Sequence, residues 1–148
     1  MDDTLTLRSL GTVLRDLNRT LVRRGKRAAG IEPLPETEAG IVRLVVHRPG
    51  ASPGQIAAEL GMQPSNVSAA LRRLAEAGLV TRESDPVDRR ATRVLPTSRA
   101  VENARLLEEA RAELLAAALD GLTAEHREAL LRAIPSLGAL ERALRDGA

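Results

Sequence analysis

Two clusters in this sequence carry side chains suited to contacts with a polyanion. Ser65, Asn66, Ser68, Ala69, Arg72 and Arg73 fall on one side of a segment whose other side carries Val67, Leu71 and Leu74 at i, i+4 and i+7. Arginine can bond guanine bidentately, asparagine can do the same with adenine, and short side chains let a helix backbone approach closely. That set suits a helix lying in the major groove of duplex DNA. The second cluster is Asp88, Arg89 and Arg90, at the end of the turn-rich run that begins at Ser84, Asp85 and Pro86. An arginine on a projecting tip can enter a narrow minor groove, where A·T tracts concentrate negative potential.

Other chemistry finds little footing. Gly25-Lys26 lacks the upstream glycine and the following Ser/Thr of a phosphate loop. His47 and His126 have no companion cysteine and no close carboxylate-histidine spacing, so no metal site or other cofactor is expected. Asp85 and Asp88 could share a cation, but beside Arg89 and Arg90 they are expected to be salt-bridged or turn-capping. No catalytic residues are assigned, and an enzyme is not expected.

Composition narrows the partner. The 148 residues hold no Phe, Tyr or Trp, and modules that grip single strands or RNA loops rely on aromatic rings to stack bases. Double-stranded DNA is therefore favoured. Cysteine is absent, which excludes disulfides and thiolate metal sites. The net charge is only +2, yet Arg8 to Arg27 holds seven Lys/Arg against the single acid Asp16. That basic stretch suits phosphate and equally suits a solvated helix face. No apolar run is long enough to cross a bilayer, and Asp2 and Asp3 replace a signal peptide's positive start, so no membrane partner and a cytoplasmic location are expected.

The elements that must position both clusters are legible. Ser52 with Gln55 three residues on, and Pro53 between them, is a capping box opening a short helix that Gly61 ends. Pro64 starts the second helix and Gly78 ends it. Leu79–Glu83 and about Thr92–Leu95 read as a hairpin. Upstream, Glu36–His47 reads as a supporting helix with Ala39, Val42, Val45 and Val46 inward and Pro49-Gly50 as its stop. Thr4 is placed as the cap of the first helix, in which Leu7, Leu10, Leu14, Leu17 and Leu21 recur at spacings of three and four. Thr97 caps a long helix to about Asp120, with Leu107, Ala110, Leu114 and Ala118 on one face. Thr123 caps the last helix, with Leu130, Ile134, Leu137, Leu140 and Leu144 as its stripe and Pro135 expected to kink or split it.

Ala57 to Leu60 with Gly61, Pro64-Ser65-Asn66-Val67-Ser68, Leu74-Ala75-Glu76-Ala77-Gly78-Leu79-Val80 and Asp85-Pro86-Val87-Asp88-Arg89-Arg90-Ala91 resemble the multiple antibiotic resistance regulator (MarR) family of winged-helix proteins. The resemblance covers nearly the whole chain, and the wing motif is its most specific part. It implies that Pro64–Ala77 is a recognition helix, that Arg90 inserts into the minor groove, and that Asp88 braces the wing by pairing with an arginine. Pro96 stands where relatives usually carry a leucine, and Ala100 where a glycine is common.

The expected fold is mainly α with a small β-hairpin wing: a winged helix-turn-helix plus a helical dimerisation bundle drawn from both chain ends. Residues 1–148 are read as one domain, with the DNA-binding lobe at 36–96 and dimerisation helices at 1–30 and 97–148. Leu7, Leu10, Leu14, Leu17, Leu137, Leu140 and Leu144 are expected to form a homodimer seam, because so small a central lobe cannot cover so long an apolar face. Two recognition helices about one duplex turn apart, roughly 34 Å, would select a pseudo-palindromic operator, with repression as the expected outcome. The resemblance adds a small-molecule effector as a further partner, although no pocket residues are assigned. A constitutive regulator and one answering to an aliphatic ligand both fit a chain without aromatic residues. The competing reading is a winged-helix protein-interaction module without specific DNA binding.

Overall fold

Helix-stopping residues divide the chain into its elements. The computed structural model describes residues 3–86 and 91–147. In order, they form α1 (Asp3–Ala28), α2 (Glu36–His47), α3 (Pro53–Glu59), α4 (Pro64–Glu76), β1 (Val80–Ser84), β2 (Thr92–Pro96), α5 (Ser98–Asp120) and α6 (Ala124–Asp146). The fold is mainly helical with one antiparallel hairpin, as expected from the sequence.

The helix-turn-helix is set by its caps. Ser52 Oγ accepts from the Gln55 amide at 3.2 Å, and Gln55 Oε1 accepts from the Ser52 amide at 2.8 Å, completing the capping box ahead of Pro53. Gly61 and Gly78 adopt left-handed φ values of 61° and 68°. The next amides, of Met62 and Leu79, reach back to the carbonyls of Ala57 and Leu74, so both helices end in hydrogen-bonded turns rather than fraying.

The chain divides into two compact units, residues 1–111 and 112–148, and the boundary falls inside α5. In the first unit, α2, α3, α4 and the hairpin converge on a core of Ile41, Val45, Ile56, Val67, Leu71, Leu74 and Val94, all fully buried. Burying one such side chain stabilises the fold by about 1.5 to 3 kcal/mol. In the hairpin Val80 pairs with Pro96 and Ser84 with Thr92. Gly50 and Ala51 add a third short segment: the Gly50 amide donates to the Val94 carbonyl at 2.9 Å and the Val94 amide donates to the Ala51 carbonyl at 3.0 Å, which ties the hairpin to the turn before α3.

Several local expectations change. Thr4 lies within α1, which already includes Asp3. The inward face of α2 is Gly40, Ile41, Leu44 and Val45, while Ala39, Val42 and Val46 are half-buried flanks. The run Ile41-Val42-Arg43-Leu44-Val45-Val46 is apolar on almost every side, so its spacing alone does not set the helix's rotation. Strand β1 begins at Val80, one residue late, and β2 extends to Pro96. Pro96 is tolerated at the strand's end, where no ladder amide is required. Ala100 is fully buried, so its methyl group is accommodated at the start of α5.

In α5, Ala110 is buried and Leu107 and Leu114 half-buried, but Ala118 is exposed. Gly25 of α1 is buried against α5: a Cβ there would meet Arg111 Cγ at 3.0 Å and Leu107 Cδ1 at 3.4 Å. In the second unit, Thr123 Oγ1 accepts from the His126 amide at 3.3 Å and opens α6. Pro135 does not split α6, which is assigned as one helix through Asp146. Proline removes a single backbone donor, a loss of about 3 kcal/mol that the surrounding turns can absorb.

Candidate nucleic-acid interface

The rotation of α4 is fixed by burial. Val67, Ala70, Leu71 and Leu74 lie in the core, which turns Ser65, Asn66, Ser68 and Arg72 to solvent and leaves Ala69 half-buried at the edge of that face. Pro64 occupies the first turn, and Gln63 at the cap makes no side-chain hydrogen bond to the helix. The exposed N-terminal turn therefore presents small polar groups, with Arg72 two turns further on. Arg72 forms no ion pair among the described residues.

Arg73, its neighbour, is engaged differently. Its Nε donates to Oε1 of Glu38 at 2.5 Å, and Glu38 is the one buried charged side chain among the described residues. Arg73 is thereby tied to the first turn of α2 while 57% of its side chain remains exposed.

Four polar side chains fasten the hairpin and the start of α5 to the rest of the lobe. Arg82 Nη2 on β1 donates to the Ser68 carbonyl at 3.2 Å. Arg93 on β2 pairs with Asp85 at 3.8 Å. Its guanidinium also lies over Gly50, where a Cβ would come within 2.6 Å of Nη2. Gly50 has a φ of 90°, so the turn after α2 both needs glycine's backbone freedom and uses its missing side chain. Thr97 Oγ1 donates to the Gly78 carbonyl at 2.8 Å and accepts from the Ala100 amide at 3.2 Å, so one hydroxyl ties the end of α4 to the cap of α5. Arg99 Nη1 adds a bond to the Ala77 carbonyl at 3.1 Å.

Val87, Asp88, Arg89 and Arg90, the expected wing tip, lie outside the described residues. At its base the Asp85 amide donates to the Ala91 carbonyl at 2.8 Å, which sets the two strands side by side. Asp85 is salt-bridged, as expected. His47 Nδ1 lies 2.8 Å from the Arg43 carbonyl and His126 Nδ1 lies 3.2 Å from Thr123 Oγ1, both local helix contacts. Among the described residues no group of three or more His, Cys, Asp or Glu is placed to hold a metal ion, and no helix is long and apolar enough to cross a membrane.

Sequence reasoning missed Glu38, Arg82, Arg93 and Arg99. One signal for Glu38 was available. It is the third residue of α2, where glutamate normally reaches back to the cap amide, but the cap is Pro35, which has no amide to offer. The arginines gave no such signal, since their partners are backbone carbonyls and a turn that only folding brings near.

Residues 32–91 match the family model described as the MarR family. No curated protein matches the chain. Among solved structures, a transcriptional regulator protein from Pseudomonas aeruginosa is 29% identical with a TM-score of 0.75, covering 95% of this chain and 97% of its own. The transcriptional regulator Tm0710 from Thermotoga maritima is 25% identical with a TM-score of 0.72, covering 93% and 97%. FabT of Streptococcus pneumoniae, solved in complex with DNA, shares the fold at 19% identity and a TM-score of 0.69, covering 94% and 99%. The capped helix pair and paired hairpin lie within the residues that match the MarR family model, and along nearly the whole length the chain is similar to transcriptional regulators of known structure with a winged-helix fold.

Proposed function

We propose that the protein is a homodimeric repressor that binds a pseudo-palindromic duplex operator. The observation that carries this reading is the two-sided build of α4: a core-locked stripe on one side, and on the other Ser65, Asn66, Ser68 and Arg72 open to solvent. Asn66 and Arg72 supply base-edge hydrogen bonds, the serines and Ala69 allow close approach, and Arg73 borders that face with its guanidinium paired to Glu38. Asp88, Arg89 and Arg90 serve the adjacent minor groove or its phosphates. Residues 36–96 act as the DNA-binding lobe within one 148-residue domain. The segments 1–30 and 97–148 supply the dimer contacts through Leu7, Leu10, Leu14 and Leu17 on α1 and Leu137, Leu140 and Leu144 on α6. All seven stand between 36% and 70% exposed in the single chain, which favours a second copy as their cover. FabT's complex with DNA supports the choice of partner.

A small effector acts by preferring the spacing of recognition helices that does not fit the operator, lowering DNA affinity by its differential binding energy.

Gel-shift measurements across a salt series test the reading. Affinity for duplex should fall steeply as salt rises, whereas a protein-contact module would show no such slope. Arg72→Ala should cost about 1 to 3 kcal/mol and relax preference at one base position of DNA selected by the parent protein. Salt-independent binding, or unaltered preference in that variant, would remove α4 from the interface.

A further inference from the structure

Two adjacent arginines on a helix point about 100° apart, so they cannot approach one groove in the same way. Glu38 decides between them. Its side chain is 8% exposed, and a carboxylate held that far from water is costly unless a cation meets it. The cap residue Pro35 offers no amide, the positive end of the α2 dipole favours the carboxylate where it stands, and Arg73 Nε supplies the bond at 2.5 Å. Bidentate recognition needs two guanidinium N–H groups free in one plane. With Nε committed, Arg73 has lost one of its two forks, and the plane of the other is set by Glu38 rather than by DNA.

We infer that Glu38 is a positioning residue that withholds Arg73 from the duplex, leaving Arg72 as the arginine of α4 that reads bases and locking the rotation of the recognition helix against α2. The inference rests on the duplex-DNA reading above and divides its arginine pair into two roles. Removing the negative charge while keeping the side chain's shape should release Arg73 to nearby phosphate, so the protein should gain a non-specific contact and lose discrimination.

The test uses the full-length protein, a mixed-sequence duplex, and the duplex selected by the parent. Glu38→Gln should steepen the salt dependence by about one phosphate, an extra three- to fourfold loss of affinity over a fourfold rise in salt. It should also narrow the ratio between selected and mixed sequences. Adding Arg73→Ala to Glu38→Gln should return the slope to the parent's, and Glu38→Asp, which keeps the charge, should restore both slope and ratio. A purely architectural Glu38 would lower stability without steepening the slope, and that result overturns the inference. If Glu38→Gln does not fold, the parent's arginine Nε–H resonances decide: on adding selected duplex Arg72 should shift and Arg73 should not, and equal shifts overturn it. A parent with no salt-dependent duplex binding overturns the DNA reading and this inference together. A parent that binds while the freed Arg73 adds nothing overturns this inference alone.

Discussion

In the winged-helix lobe Ile41, Ile56, Val67, Leu71 and Leu74 are fully buried, whereas on α1 Leu7, Leu10, Leu14 and Leu17 stand from 36% exposed at Leu14 to 65% at Leu7. The stripe of α6 is likewise open, from 38% at Leu140 to 70% at Leu144. The lobe encloses its apolar surface because three helices and a hairpin meet there from different directions. Each terminal helix is long and apolar along one face, and most of that stripe stands exposed. One region is complete in a single chain, and the other presents surface of the kind that a partner chain removes from water.

The sharpest way to break this contrast is Leu71→Ala. It should destabilise the lobe by about 2 to 5 kcal/mol in denaturant unfolding, and by the same amount at every protein concentration, because that site is closed within one chain. Leu14→Glu should do the opposite: leave the lobe's helical signal in place and convert dimer to monomer in light scattering, since a charge on a seam is left unpaired when the seam closes. A seam variant that stayed dimeric, or a Leu71→Ala penalty that changed with protein concentration, would erase the distinction.

A smaller effect is expected at the hairpin's root. Gly50→Ala should cost about 1 to 3 kcal/mol, because φ there is 90° and a methyl group would run into the Arg93 guanidinium. Its duplex affinity should fall with the loosened hairpin, read in the same gel-shift series.

The smallest effect lies on α5. The hydrogen bond from Arg105 holds the Glu102 carboxyl below its ordinary value of 4.5, with the charge of the same arginine adding to the effect. A depressed folded value means that the contribution is present at and above the ordinary glutamate range. It is lost as pH falls through the lower folded value. Both side chains lie on the surface, so solvent screens the pair. In Arg105→Gln, carboxyl NMR titration of Glu102 should return to the ordinary range; an unchanged midpoint would assign the depression to another group.

The two regions also differ in how far they can be read without a structure. Ser52, Pro53, Gln55, Gly61, Pro64 and Gly78 act on backbone within three or four residues of themselves, so the bounds of α3 and α4 were legible in advance. The spacing of Val67, Leu71 and Leu74 similarly established which side of α4 is buried. The phase of α2 was not legible, because an apolar surround offers no polar residue to mark the outside. Nor was the continuity of α6 through Pro135, since the propensity of one residue is outweighed by the turns on either side.

The order of residues by itself determined the elements, the caps of α3 and α6, the core face of α4 and the absence of aromatic and thiol chemistry. Those features depend on neighbours a few residues apart, where chain geometry leaves few choices. Tertiary structure decided the partners of the arginines: Arg73 with Glu38 across 35 positions, Arg82 with the Ser68 carbonyl, Arg93 over Gly50 and Arg99 on the end of α4. A guanidinium can satisfy itself with any carboxylate or carbonyl within reach, and only the packed chain sets which one is near.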